Sequence, residues 1–367
     1  RFMNMRVLNF NYCHYITEIP DVCGAPYLQE LSFKSCKNLI KIHGSVGFLD
    51  KLKILDADGC SKITSFPPIK LTSLEELKLS FCVNLECFPE ILGKMETVTS
   101  LNIEDTPIKE LPSSIQHLTG LERIQLKNGG VIRLPSTLFA MKKLRYFLVN
   151  ECEGLLLPIE NEGKEQMSSM VVENTIGYLD LSQCHISDKF LQRGLPLFIN
   201  VEELKLQGND FTIIPAYIQE FQFLTELSLV ACENLHEIRW IPPNLKIFKL
   251  IYCTSLEELD LTVLPTWNKE CCLLRMLVVC GCRNLEKVKG IPMNIKELIV
   301  EYCNSLKDLD LTLPHSCTRQ CRILSKLELK YCMAFEEIKG IPSDLIEFSA
   351  IECSSLTFEC RSMLLNK

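Results

Sequence analysis

Residues 71–90 read Leu71-Thr72-Ser73-Leu74-Glu75-Glu76-Leu77-Lys78-Leu79-Ser80-Phe81-Cys82-Val83-Asn84-Leu85-Glu86-Cys87-Phe88-Pro89-Glu90. Leu77 and Leu79 alternate with polar residues, the period of two that puts both side chains on one face of an extended strand. Cys82, Leu85, Phe88 and Pro89 follow at fixed offsets. The same frame reads Met5, Leu8, Phe10, Cys13, Ile16, Ile19, Pro20, and again Leu28, Leu31, Phe33, Cys36, Leu39, Ile42. It restarts at Leu52, Val98, Leu121, Leu144, Ile176, Val201, Leu224, Leu245, Leu274, Ile295, Leu324 and Leu345, giving about fifteen units, most of them 21 to 25 residues apart.

That spacing is the leucine-rich-repeat period and is too short for the helix pairs of other arrays. One unit cannot bury its own leucines, so units must stack. The expected fold is an α/β solenoid, a leucine-rich-repeat horseshoe with a parallel β-sheet on its concave face and an irregular or short helical convex side. Fifteen strands at about 4.8 Å make an arc on the order of 70 Å. The expected organisation is repeats 1–7 in residues 1–159, an inter-repeat loop at 160–175, repeats 8–15 in 176–357, and the start of a truncated post-repeat region at 358–367. The loop reading rests on the 32-residue gap from Leu144 to Ile176, which holds Glu160-Asn161-Glu162-Gly163-Lys164-Glu165. After Leu224 the spacing alternates between 21 and 29 residues, and Tyr252-Cys253-Thr254-Ser255-Leu256 resembles Tyr302-Cys303-Asn304-Ser305-Leu306, which reads as a duplicated double unit. Its inserts, around Trp267 and His315, are expected at the convex side or an edge.

The bulk numbers agree with a well-buried chain that binds neither nucleic acid nor a lipid core. Of 367 residues 47% are hydrophobic and 23% charged, with a net charge of −7. The acidic balance opposes a nucleic-acid surface. No apolar run reaches the roughly 18 residues of a membrane span, and Arg1-Phe2-Met3-Asn4-Met5 has neither an initiator Met nor a signal-peptide core.

Twenty cysteines in a short secreted chain would mean a disulfide framework. Here most of them recur at one place in the repeat: Cys13, Cys36, Cys60, Cys82, Cys152, Cys184, Cys232, Cys253, Cys282, Cys303, Cys332 and Cys353, with Thr106 and Asn209 in the same slot. The turn after the strand needs a small inward side chain that hydrogen-bonds a neighbouring backbone group. An amide in register with thiols points to a buried hydrogen-bonding column, with bridging between coils the alternative that distance alone leaves open.

Nothing in the chain reads as a reaction centre. His315, Cys317 and Cys321, or Cys271-Cys272, carry zinc-type ligands, but the duplicated inserts do not repeat the set. Cys280-Gly281-Cys282 resembles a redox pair, yet Cys282 belongs to the column. No glycine-rich phosphate loop is present, Gly129-Gly130 reads as a turn, and His117, His185 and His236 lack recurring partners for a triad. No catalytic residue, cofactor or metal ligand is expected.

The outward positions of each strand remain as the recognition surface. Early units mix Lys34, Asp56, Asp58, Lys78 and Asp180, and Asn102, Glu104, Gln125, Lys127 and Asn150 read as a solvated rim. In the C-terminal third these positions turn apolar and aromatic: Val230, Ile251, Tyr252, Val278, Ile299, Tyr302 and Tyr331. They are the candidate partner-binding residues.

The column cysteine with proline closing the unit, as in Leu85-Glu86-Cys87-Phe88-Pro89 and Ile108-Lys109-Glu110-Leu111-Pro112-Ser113-Ser114-Ile115, resembles plant intracellular immune receptors of the TIR-NB-LRR class, as do Leu179-Asp180-Leu181-Ser182-Gln183-Cys184 and Cys353-Ser354-Ser355-Leu356-Thr357. The resemblance covers almost the whole chain. It implies recognition of a pathogen effector, directly or through a guarded host protein. It further implies an intramolecular contact restraining a nucleotide-binding domain, and residence in the cytoplasm with the nucleus as second compartment. The TIR and nucleotide-binding segments have no counterpart here, so their residues are carried onto no position. The alternative is a leucine-rich-repeat adaptor or receptor ectodomain that binds a protein without a nucleotide switch.

Overall fold

Fifteen parallel strands stand at the fifteen repeat positions in a computed structural model that describes residues 2–158, 174–238, 240–261, 273–292, 294–312 and 323–365. The inter-repeat loop, apart from its last two residues, lies outside the described residues. So do the inserts with Trp267, His315, Cys271, Cys272, Cys317 and Cys321. The chain divides into two units, Arg1–Cys184 and His185–Lys367.

In the first unit the strands Val7–Asn9, Glu30–Ser32, Ile54–Asp56 and Glu76–Lys78 pair in sequence order. Ser100–Glu104, Arg123–Lys127, Tyr146–Asn150 and Tyr178–Asp180 then do the same. The second unit continues the pattern in Glu203–Lys205, Glu226–Val230, Ile247–Ile251, Met276–Cys280, Glu297–Glu301, Lys326–Lys330 and Glu347–Ile351. Register places like repeat positions side by side, for example Leu250 beside Val279 and Val279 beside Val300.

The repeat leucines are buried because stacking gives each coil a neighbour to cover them. Leu28, Leu31, Phe33, Leu74, Leu79, Leu250 and Leu298 have no exposed surface, and each such side chain contributes about 1.5–3 kcal/mol. Away from the main sheet the chain forms two- and three-residue parallel pairs, such as Glu258–Asp260 with Lys287–Lys289, and short 3-10 turns. Three of the turns follow proline: Pro112 before Ser113–His117, Pro135 before Ser136–Ala140, and Pro215 before Ala216–Glu220. Proline fixes φ for the first turn and keeps the residue before it extended. Among the described residues α-helix is confined to Asp188–Arg193 and Phe358–Leu365. The second of these follows the last coil and carries the buried Cys360.

In the first, third and fourth coils an acceptor side chain directly after the buried pair intercepts a backbone N–H of the next coil, and the strands there are three residues long. Asn11 Oδ1 takes Lys34 N–H (2.8 Å), Asp58 Oδ1 takes Ser80 N–H (2.8 Å), and Ser80 Oγ takes Glu104 N–H (3.2 Å). Where Val230, Ile251 and Cys280 stand at that place, the strands run five residues.

Candidate protein-binding surface

Every one of the fifteen coils leaves its strand through a residue with positive φ, directly before the column position: Tyr12, Ser35, Gly59, Phe81, Asp105, Asn128, Glu151, Gln183, Gly208, Ala231, Tyr252, Gly281, Tyr302, Tyr331 and Glu352. Only three are glycine. The left-handed conformation costs an ordinary residue about 1–2 kcal/mol, and a backbone bond accompanies it. Phe81 N–H donates to Glu104 O (2.7 Å), Tyr252 N–H to Cys280 O (2.7 Å) and Tyr302 N–H to Lys330 O (2.8 Å), so each turn residue is tied to the next coil.

The kink aims the following side chain inward. Cys36, Cys60, Cys82, Cys152, Cys184, Cys232, Cys253, Cys282, Cys303, Cys332 and Cys353 are buried, as are Thr106 and Asn209. Each of these thiols donates to the carbonyl at the same place in the preceding coil, among them Cys36 to Phe10 O (3.1 Å), Cys60 to Phe33 O (3.1 Å), Cys82 to Ala57 O (3.2 Å) and Cys232 to Leu206 O (3.1 Å). Asn209 does more, with Nδ2 donating to Leu206 O (3.0 Å) and Oδ1 accepting Ile186 N–H (3.0 Å). Burial pushes the Cys82 thiol up to about 12 and that of Cys332 to about 11, so both are neutral thiols near pH 7. The sixteen described cysteines are all free. Cys13 differs from the expected column because it is exposed: among the described residues no earlier coil lies over it. The Leu121 coil fills the slot with Gly129, where an added Cβ would lie 3.3 Å from Cys152 Sγ.

The outward residues of the second unit converge. Val230 neighbours Ile251, which neighbours Cys280, and Val278 neighbours Ile299 one row over. All five are half-buried, as are Ile247 and Met276 in a third row, which the sequence reading passed over although they hold the same alternating places. Tyr252, Tyr302 and Tyr331 are not strand residues. They are the positive-φ turn residues one step beyond the strand ends. The left-handed turn sets their rings along the margin of the patch, where Tyr252 and Tyr302 are 50% and 45% exposed. Tyr302 and Tyr331 stack at 4.7 Å with planes 9° apart, and the Tyr252 ring lies over Gly281.

Ion pairs close the patch on both sides. Lys249 Nζ meets Glu226 (2.6 Å) on one side, and on the other Lys330 meets Glu301 (3.1 Å) and Glu328 (3.2 Å) while Lys326 meets Glu328 (3.1 Å). Partial burial opposes ionisation of Glu328, but hydrogen bonds from Lys326 and Lys330 prevail and hold its carboxyl below the usual range. The result is an apolar centre with a polar rim, the anatomy of a protein interface.

Among the described residues no group of three or more His, Cys, Asp and Glu side chains could hold a metal ion, and no helix is long and apolar enough to cross a membrane. Cys280 and Cys282, the paired cysteines of the sequence, project to opposite sides of the strand, one onto the sheet face and one into the column.

Residues 69–269, more than half of the chain, match the family described as leucine-rich repeats of RPS4B-like disease resistance proteins. The chain is 27% identical over 287 residues to TMV resistance protein N of Nicotiana glutinosa, covering 66% of this chain and 25% of that protein. It is 32% identical over 237 residues to the disease resistance protein RPP5 of Arabidopsis thaliana, covering 64% and 15%. It thus spans a quarter or less of these relatives. A solved leucine-rich-repeat protein of Leptospira interrogans aligns with 99% of this chain and 94% of its own, at 15% identity and a TM-score of 0.38.

Proposed function

Since the chain belongs to the leucine-rich repeats of RPS4B-like plant disease resistance proteins, the TIR-NB-LRR class, we propose that it is the recognition region of an immune receptor and binds a protein through the sheet face of its second unit. The bound protein is a pathogen effector, or a host protein that an effector alters, and the receptor works in the cytoplasm, with the nucleus as second compartment. The observation that carries this reading is the apolar patch of Val230, Ile251, Val278 and Ile299, edged by Tyr252, Tyr302 and Tyr331 and closed by ion pairs. Rigid aromatic side chains set beside half-buried aliphatics, with charges held apart at the rim, are what a binding hot spot requires.

In the full receptor the repeats also touch the nucleotide-binding domain and hold it inactive. A ligand releases that hold only by binding the open receptor more tightly than the closed one, since equal affinity shifts nothing. The chain itself takes no cofactor and catalyses no step.

The test is capture of a recognised protein by the chain and by Val278→Asp and Ile299→Asp, with melting followed in parallel. Both positions are half-buried outward residues, so the fold should survive while capture falls at least about tenfold. Capture that is undiminished by both substitutions would place recognition elsewhere. NAD and ATP incubated with the chain should be recovered unchanged; turnover would refute the non-catalytic reading.

A further inference from the structure

The first unit carries a second outward cluster with different chemistry. Arg123, Tyr146 and Tyr178 occupy the same row of three adjacent strands. The Arg123 guanidinium carbon lies 5.9 Å from the Tyr146 ring centre, and the Tyr146 and Tyr178 rings are 5.9 Å apart at 45°. Tyr146 is 45% exposed. Arg123 Nη2 donates to Gln125 Oε1 (3.1 Å), which fixes the plane of the guanidinium. Beside this ladder Lys142, Lys143 and Arg145 are exposed, with Arg145 Nη1 donating to Thr175 O (3.5 Å).

None of these four cations is in an ion pair among the described residues. On the same sheet face Lys78, Lys127, Lys249 and Lys330 are each held by a glutamate. Among the described residues Glu122 forms no ion pair, and the Asp180 carboxylate accepts the N–H and O–H of Ser182. Among the described residues these four cations, from two adjacent coils, stand unpaired on a chain of net charge −7.

We propose that the Arg123–Tyr146–Tyr178 ladder with Lys142, Lys143 and Arg145 docks an acidic protein segment that presents an aromatic side chain. A guanidinium with one donor already used keeps its remaining fork for a carboxylate, and the half-exposed Tyr146 ring offers an edge or face to an aromatic side chain. A nucleic-acid backbone fits less well, because it needs a continuing basic track, and two rows along the strands Lys127 is held by Glu104 (3.4 Å) and Glu151 (3.9 Å). This site does not depend on the apolar patch of the second unit.

The probe is a fluorescein-labelled peptide alternating Glu and Phe, titrated with the whole chain by fluorescence anisotropy. Controls are the same peptide with Gln for Glu and a single-stranded DNA of equal charge. The acidic peptide should bind, weaken as salt rises, and lose at least about tenfold in affinity in Arg123→Ala and in Tyr146→Ala. Arg123→Lys should fall between these and the wild type, because it keeps the charge and loses the planar fork. Should either alanine variant melt early, Arg145→Ala together with Arg123→Lys carries the test. Equal binding of the Gln peptide, equal binding of the DNA, or acidic-peptide affinity unmoved by the substitutions each overturns the proposal.

Discussion

Gly281 shows what a single turn residue is asked to do. It holds φ +67°, and an added Cβ would lie 2.3 and 2.5 Å from two atoms of the Tyr252 ring. Gly281→Ala therefore meets both a backbone cost of about 1–2 kcal/mol and a displaced tyrosine, and it should lower the melting temperature. Adding Tyr252→Ala should recover the part due to the ring; a double variant no more stable than the single one would mean that the clash is relieved without cost. Ala231 is the converse case, an ordinary residue at φ +52°. Asp58 is a different kind of residue-scale tension. Burial raises its carboxyl above 3.8, opposed by the Ser80 N–H bond. A raised folded-state pKa means the folded chain keeps the proton longer. The contribution therefore favours folding below the unfolded value and is lost as pH rises through the folded one. Asp58→Asn retains the acceptor for Ser80 and removes the buried charge. It should melt higher than wild type at pH 7, with the gap closing as pH falls toward 4. A lower melting point at pH 7 would show that Lys34 and Lys78 make the carboxylate a net stabiliser.

At the scale of the element, the column joins one coil to the next through one side chain per turn. Cys82 has no exposed surface and lies against the Ala57 carbonyl, so Cys82→Leu overpacks a closed slot and should cost about 1–3 kcal/mol by urea unfolding. Asn209→Ala strands the Ile186 N–H, while Leu206 O keeps the Cys232 thiol, with a loss of about 1–3 kcal/mol. Asn209→Cys should restore only part of that loss, because a thiol is a weak acceptor for the Ile186 N–H; full restoration would deny the amide oxygen its role. The repeat, its strands and this column were legible because each is written in residue type: leucine where the core is, a small hydrogen-bonding side chain where the chain turns in. The turn residue before the column was not legible. Tyr, Ser, Phe, Asp, Glu and Ala all occupy it, since the bond to the next coil imposes its conformation, overriding local preference. For the same reason Tyr252, Tyr302 and Tyr331 look in sequence like strand residues, and Gly129 in the column slot went unread. The alternation of hydrophobic and polar residues did locate the patch in the second unit, but it did not reveal the Arg123 ladder, whose members are three separate polar positions until the register aligns them.

For the whole molecule, the consequence of stacking is that a coil has no core without its neighbours. Sequence-distant carbonyls receive each column thiol, as Val149 O receives Cys184 (3.0 Å) and Leu229 O receives Cys253 (3.4 Å), so opening one coil uncovers the side chain of the next. Stability in such an array is a sum of nearest-neighbour terms, and local opening is cooperative over several coils. Thiol labelling reads this directly. In native buffer, a pulse of a thiol reagent analysed peptide by peptide should modify Cys13, Cys23 and Cys87, which are exposed, and leave the buried column unmodified. With rising urea, Cys36, Cys60 and Cys82 in the first unit should become reactive at one common midpoint. Cys253, Cys282 and Cys303 in the second should likewise share a midpoint. Separate midpoints for adjacent cysteines within a unit would mean that the coils open singly, and the account of a shared core built by stacking would fail.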